Sequence, residues 1–161
     1  MTVAVRRLGT NEWETLRVVR LAALLDAPYA FGSTHDEEVV LDEGAWRTRL
    51  GEMAWFVAFD GDRAVGLASG GTLREPDPEV RTLRSMWVES TYRGSGLAAE
   101  IVRAVADWAR ADGASQLTLW ATLDAARART FYERQGFVPT GEERTVDGRD
   151  HVAMSRYVLA L

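Results

Sequence analysis

The stretch that decides the fold is Ser85–Ala99, with the sequence SMWVESTYRGSGLAA. Its apolar beginning predicts a strand, its two glycines predict a turn, and the leucine and alanines after them predict the start of a helix. Glycine lacks a Cβ atom, so the backbone can approach a ligand closely there. The first N–H groups of a helix have no partner inside the helix, and the helix dipole favours an anion beside them. These features together predict a site for a phosphorylated cofactor.

Arg93, directly before the first glycine, can add a charge-assisted hydrogen bond to a phosphate.

Two other interpretations of the turn stay open. The glycines can serve only the geometry of a tight connection between a strand and a helix. The segment Gly94–Ala99 also fits the fingerprint G-x-G-x-x-A of dinucleotide sites. However, that fingerprint belongs to the first βαβ unit and needs an acidic residue at the next strand end, whereas Asp112 lies at a predicted helix end. We therefore rank the dinucleotide site last.

Composition bounds the class of protein. The 161 residues predict one domain over 1–161, and the absence of cysteine excludes disulfides, thiolate metal sites and a cysteine nucleophile. The net charge of -5 disfavours non-specific binding to nucleic acid and is compatible with a cationic substrate, although it also serves solubility. We find no signal-peptide pattern and no apolar run near the roughly 20 residues of a membrane span. We therefore expect a cytoplasmic protein without nucleic-acid or membrane partners.

Hydrophobic periodicity and turn residues predict the order of elements along the chain. After the central stretch, Leu97, Ile101, Val105 and Trp108 form an apolar helical stripe, and Gly113 suits the end of that helix. Before it, the patterns predict a strand over 2–8 and a helix that Thr10 or Asn11 caps and that ends near Asp26, with a stripe at Trp13, Leu16, Val19 (or Arg20) and Ala23. The other predicted elements are a short helical piece over 36–41, a helix capped by Asp42, a hairpin of strands 55–59 and 63–70, strands over 80–89 and 117–122, a helix to 134 capped by Asp124, and two last strands joined by a turn at Asp147–Gly148.

Two motifs resemble the GNAT superfamily of N-acetyltransferases. Met86–Ala98 resembles the family's acyl-CoA motif R/Q-x-x-G-x-G/A after its preceding strand, and Phe131–Phe137 resembles the family's C-terminal motif, in which a tyrosine precedes a Gly-Phe ending. The predicted order of elements also matches that family. The resemblance implies an α/β GNAT fold, with a mixed, mostly antiparallel central sheet, splayed central strands and about four flanking helices.

The resemblance also implies an activity, namely direct transfer of an acetyl group from acetyl-CoA to an amine, without a metal. The acceptor is a small molecule or a peptide N-terminus, and homodimers are frequent in the family. The backbone of Met86, Trp87 and Val88 would bind the pantetheine arm, and Tyr132 would act as general acid near the thioester sulfur. The pyrophosphate motif comprises Arg93, Gly94, Ser95, Gly96, Leu97, Ala98 and Ala99.

The sequence departs from the family's pattern at three positions. Ala125 replaces an asparagine that touches pantetheine in many members, and Thr82 and Trp120 occupy the two positions where members carry a glutamate base. These departures favour an alternative function, a non-catalytic acyl-CoA-binding sensor. Other side chains that could take the proton of the amine are Glu37, Glu38, Glu75, Asp77, Glu79, Glu89, His35 and His151.

Overall fold

The computed structural model describes residues 2–146 and 148–161. In this part of the chain, seven strands form one sheet in the order β1-β2-β3-β4-β5-β7-β6, and neighbouring strands are antiparallel except for the parallel pair β4 and β5. The predicted α/β class and mostly antiparallel sheet are confirmed. The strands are β1 (Val3–Arg7), β2 (Ala54–Asp60), β3 (Arg63–Gly71), β4 (Val80–Val88), β5 (Gln116–Thr122), β6 (Val138–Val146) and β7 (Arg149–Ala160).

Four long helices and one short helix flank the sheet, as the predicted order of elements requires. The short helix, α2, begins with a capping box in which the Thr34 side chain and the Glu37 carboxylate each bond the other residue's backbone N–H. The turn predicted at Asp147–Gly148 lies partly outside the described residues, because Asp147 is not among them. The helices are α1 (Trp13–Asp26), α2 (His35–Val39), α3 (Glu43–Glu52), α4 (Leu97–Ala111) and α5 (Ala126–Arg134), with 3₁₀ turns at Pro28–Ala30 and Ser90–Tyr92.

One of the predicted helix caps is confirmed and two are wrong. The Asp42 carboxylate accepts a hydrogen bond from Ala45 N at 2.9 Å and caps α3. The residue before α5 is Ala125 rather than Asp124, and no side chain caps that helix. The residue before α1 is Glu12 rather than Thr10 or Asn11, and its carboxylate accepts the Gly9 N–H at 2.8 Å instead of capping the helix.

The two faces of the sheet carry separate cores. Alternate residues of a strand point to opposite faces, so Phe56 of β2 packs with α4 and α5 while Val57 packs with α1 and α3. The packing of α4 on β3 is close. A Cβ atom added to Gly70 would lie 2.7 Å from the ring of Trp108, so only glycine leaves room for that ring.

The sheet opens in its middle. Only Val80–Thr82 of β4 pairs with β5, where it faces Gln116–Thr118, and the rest of β4 has no strand partner on that side. Ser85, in this part of β4, has a φ of 59° beside a register shift against β3, which identifies a β-bulge. The predicted splay of the two central strands is therefore present.

Candidate active site

A cavity of about 680 Å³ lies where β4 and β5 separate, and we call it the slot. Its walls come from the strands on both sides of the opening, from α5, from the segment between α1 and α2, and from the last two strands. The slot therefore joins parts of the chain that are far apart in sequence. Its lining includes Tyr29, Phe31, Thr82, Met86, Trp120, Ala125, Tyr132, Val146 and Met154.

The turn before α4 has the geometry of an anion site. Gly94 and Gly96 have φ angles of 79° and 88°, a left-handed conformation that favours glycine. A Cβ atom at either position would meet nothing within 4 Å, so the space above the turn is open. Among the described residues, the backbone N–H groups of Gly94, Gly96, Ala98 and Ala99 have no hydrogen-bond partner. Unpaired donors at a helix N-terminus fit a pyrophosphate well.

The Ser95 side chain closes this turn from within. Its hydroxyl donates a hydrogen bond to Tyr92 O at 2.5 Å and accepts one from Leu97 N at 3.4 Å. The side chain of Leu97 itself is buried in the core below α4. Both residues therefore hold the turn through their own contacts, and their expected part in phosphate binding is a backbone one.

Arg93 does not extend over the turn. Its guanidinium donates to Asp26 at 3.1 Å and to Val88 O at 3.1 Å, and about half of its side chain is exposed. Trp87 donates its indole N–H to the same Asp26 carboxylate at 2.9 Å. Asp26 therefore ties the end of α1 to the strand and to the turn, and Arg93 serves first as a structural link in this arrangement.

Met86, Trp87 and Val88 form the free edge that was predicted for pantetheine. None of the three pairs with β5, because the pairing ends at Thr82. Trp87 and Val88 turn buried side chains into the core, while Met86 is half-buried and lines the slot. The free backbone groups of this edge can pair with a ligand in place of a strand.

Tyr132 lies on α5 with its ring buried and 9% of the residue exposed. The ring contacts those of Phe131 and Phe137, with centroids 5.2 and 5.8 Å away. Tyr132 lines the slot, and its hydroxyl has no hydrogen-bond partner among the described residues. Burial raises the pKa of this phenol well above its usual range, so the hydroxyl is neutral and can donate a hydrogen bond.

No carboxylate or imidazole is found among the described residues that line the slot. Thr82 and Trp120 both line it, and the Thr82 hydroxyl lies 3.2 Å from that of Thr118. Two of the candidate bases form ion pairs with arginines that do not line the slot. Glu89 binds Arg63 at 2.7 Å, and Glu75 binds Arg156. The slot therefore has no acidic base of its own in the described part of the chain.

Glu38, another candidate base, belongs to a buried ion pair that the sequence analysis missed. Its carboxylate, 1% exposed, accepts bonds from Arg20 at 3.0 and 2.9 Å and from Arg49 at 2.5 Å. Burial alone would raise the pKa of Glu38, but the hydrogen bonds and charge of Arg20 lower it overall. Arg20 also donates to Ser85 Oγ at 3.0 Å, so this pair supports the β4 bulge beside the slot.

Two further arginines of the slot were also missed. Arg84 of β4 is half-buried and donates to Leu73 O at 3.1 Å. Arg144 of β6 lies with its guanidinium carbon 4.2 Å from the centre of the Trp120 ring. Burial, followed by the charges of Arg74 and Arg144, lowers the pKa of Arg84. The signal in the sequence was only a basic residue within each of two strands, 60 positions apart.

The dinucleotide interpretation does not agree with the fold. A doubly wound parallel sheet is required for it, whereas this sheet contains one short parallel pair. Asp112, the acidic residue nearest to the required position, is bound to Arg81 at 2.9 Å.

None of the described helices has the length and apolar character that crossing a membrane demands.

Comparisons with known proteins point to one family. Mycothiol acetyltransferase of Beutenbergia cavernae is 32% identical over 116 residues, which are 68% of this chain and 38% of that protein. N-acetylaspartate synthetase of Xenopus tropicalis is 31% identical over 113 residues, which are 69% of this chain and 41% of that protein. The chain thus spans about two fifths of the length of these curated relatives.

Solved structures share the fold. An acetyltransferase of the GNAT family from Streptococcus pneumoniae matches with a TM-score of 0.79, at 15% identity, over 99% of this chain and 100% of that one. Residues 18–137, which include the turn before α4 and Tyr132, match the sequence model of the Acetyltransferase (GNAT) family. On this evidence the chain belongs to the GNAT family of acetyltransferases.

Proposed function

We propose that this chain transfers an acetyl group from acetyl-CoA directly to an amine. The observation that carries the proposal is the unpaired edge of β4, which leads from the slot to the unpaired N–H groups of Gly94, Gly96, Ala98 and Ala99. An extended chain with a pyrophosphate at one end fits this edge, because the strand can bond the amide groups of the arm and the turn can bond the phosphates.

When bound, acetyl-CoA supplies a thioester whose carbonyl carbon accepts the amine lone pair, so that a C–N bond forms and a C–S bond breaks. The backbone of Met86, Trp87 and Val88 orients the donor, and an N–H group of this free edge polarises the carbonyl oxygen. Arg93 supports the site by linking the strand to Asp26. No side chain of the protein becomes covalently acylated in this scheme.

Tyr132 acts on the leaving thiolate by donating a hydrogen bond. A phenol has an ordinary pKa of about 10 and a thiol one of about 8.5, so full proton transfer to the thiolate is uphill. Burial raises the pKa of Tyr132 further, which keeps the phenol neutral and able to donate. The proton that finally reaches CoA therefore comes from the amine or from solvent.

Two measurements test this proposal. Calorimetric titration should give saturable binding of acetyl-CoA and of CoA but none of NAD. In an assay of released CoA, Tyr132→Phe should lower turnover by about 10²-fold while the Kd for acetyl-CoA stays unchanged. Tyr157→Phe is the matched control, because that hydroxyl bonds Arg129 at 3.1 Å and the side chain is buried in the core. Equal turnover of Tyr132→Phe and wild type would refute the role of Tyr132.

A second candidate function, an acyl-CoA-binding sensor, is favoured by one observation. Thr82 and Trp120 occupy the two positions where family members carry a glutamate base, and the described lining of the slot contains no carboxylate. The sensor hypothesis expects tight binding of acetyl-CoA without transfer to any amine, so the same assays separate the two functions. The cytoplasmic location, the single domain over 1–161 and the homodimer stay predictions from the sequence.

A further inference from the structure

The charged side chains that line the slot are all cationic among the described residues. They are arginines from four different parts of the chain, whereas the chain as a whole has a net charge of -5. The charge of the described lining is therefore opposite in sign to the net charge of the protein. These side chains are Arg20, Arg74, Arg84 and Arg144.

The arginines differ in how they are neutralised. Arg20 is paired with the buried Glu38 carboxylate, which also accepts a hydrogen bond from Arg49. Arg84 donates to a backbone carbonyl, and Arg144 stacks on Trp120, but neither contacts a carboxylate of the described chain. Two cationic groups thus share the slot without a counter-charge from the described residues. Their mutual repulsion is relieved when an anion binds, and a planar guanidinium binds a carboxylate through two parallel hydrogen bonds.

The positions of Arg84 and Met86 give the scale of the acceptor. They are two residues apart on β4 with the bulge at Ser85 between them, so their backbones are at most about 7 Å apart. Met86 begins the edge proposed to hold the donor, so the arginines lie beyond the end at which the acetyl group is expected. An anion bound by them is consequently only a few covalent bonds from the amine that reacts.

We propose that the acceptor is a small amine that carries a carboxylate, which Arg84 and Arg144 bind in the part of the slot beyond Met86. This inference rests on the proposed acetyl transfer and names its substrate class. The slot of about 680 Å³ must hold the end of the donor arm as well, which restricts the acceptor to the size of an amino acid.

The same cations explain how an amine reacts without an acidic base. The titratable and charged groups of the described lining are the four arginines and the phenols Tyr29 and Tyr132. Arg84 and Arg144 carry two positive charges, so the described charges of the slot stay positive after one carboxylate has bound. A positive site disfavours an ammonium ion, so the amine loses its proton to solvent more readily there.

The test uses the full chain, acetyl-CoA and an assay of released CoA with acceptors in matched pairs. The pairs are glycine and β-alanine, each with its carboxamide, and L-aspartate and L-glutamate, each with its diamide. We expect the acids to have at least tenfold higher kcat/KM than the amides. Arg84→Gln and Arg144→Gln should each raise KM for the acid at least tenfold and remove the preference, with the KM for acetyl-CoA unchanged.

Two variants serve as controls. Arg110→Gln removes an equal charge at the far end of α4, where Arg110 forms a surface pair with Asp107, and should leave the preference intact. Arg84→Lys keeps the charge and should restore part of the affinity for the acid. Because the amine loses its proton while bound in the slot, the acid limb of the kcat profile should move to higher pH in Arg84→Gln.

The outcomes separate this inference from the proposed function. Three outcomes overturn the inference and leave the acetyl transfer standing. They are equally efficient transfer to amides and acids, transfer only to peptide N-termini, and preferential transfer to phosphoethanolamine. If acetyl-CoA binds but no amine releases CoA, the proposed function fails. Calorimetric titration of the CoA-loaded protein with the same pairs then decides whether the slot binds carboxylates, and equal binding of acid and amide overturns that as well.

Discussion

Replacing Glu38 by glutamine removes the counter-charge of a buried arginine. Glu38 is 1% exposed and Arg20 is 8% exposed, so water cannot replace the lost carboxylate. Three hydrogen bonds between charged groups end on this carboxylate, two from Arg20 and one from Arg49. A glutamine has nearly the same shape, yet it offers one acceptor oxygen and directs an NH₂ group at a guanidinium.

The expected loss in the free energy of unfolding is about 3–5 kcal/mol, the usual cost of leaving one member of a buried ion pair without its partner. For a chain of this size, each kcal/mol lowers Tm by about 2–4 °C, so Tm should fall by about 6–20 °C. Thermal unfolding followed by circular dichroism at pH 7 measures this directly. Because Arg20 also bonds Ser85, the variant should bind acetyl-CoA more weakly.

Two further variants test the physical cause. Asp36→Asn, which changes a fully exposed carboxylate of the same helix, should leave Tm within about 1 °C of wild type. The double variant Arg20→Met with Glu38→Leu removes both charges and should recover most of the stability that Glu38→Gln loses. A Tm for Glu38→Gln within 2 °C of wild type, or a double variant as unstable as the single one, would refute the reasoning.

Three more predictions, one of them with a control variant, concern separate features. Gly96→Ala places a side chain at a φ of 88°, so chemical denaturation should show a loss of about 1–2 kcal/mol and titration should show weaker binding of acetyl-CoA. The control is Gly113→Ala, at a φ of 91° far from the slot, which should lose a similar stability but bind acetyl-CoA like wild type. Gly70→Ala brings a Cβ atom to 2.7 Å from an aromatic ring of α4, so urea unfolding should show a loss of about 1–3 kcal/mol. The Arg6 hydrogen bonds lower the pKa of Glu12 to about 2. In thermal unfolding, wild type should therefore be slightly more stable than Glu12→Gln above about pH 4.3, and this difference should vanish as the pH falls to about 2.

The local features of the chain could be predicted from sequence. The turn before α4 was predicted because Gly94 and Gly96 both need a positive φ angle, and a glycine pair after an apolar strand has few other uses. Asp42 was recognised as a cap because its partner is three residues away. The prediction of Asp124 as a cap failed because the chain enters α5 one residue later, and sequence patterns do not fix helix starts to one residue.

Contacts between distant residues could not be predicted in the same way. Arg20 and Glu38 are 18 positions apart, and the helical stripe of α1 allowed either Val19 or Arg20 on the buried side. The bulge at Ser85 has no residue type that signals it, because it arises from the register between β3 and β4. Arg84 and Arg144 line the same cavity only because the strands between them separate.

The gap between β4 and β5 makes this sheet two half-sheets joined by a seam of three residue pairs, fewer than at any other strand pair in the described chain. One half contains β1 to β4, and the other contains β5, β7 and β6. A molecule that bridges the seam binds only the folded protein, and at a hundred times its Kd it adds about 2.7 kcal/mol to the free energy of unfolding. The supply of that molecule therefore sets how fast the amides along the seam exchange with deuterium and how long the chain survives a protease.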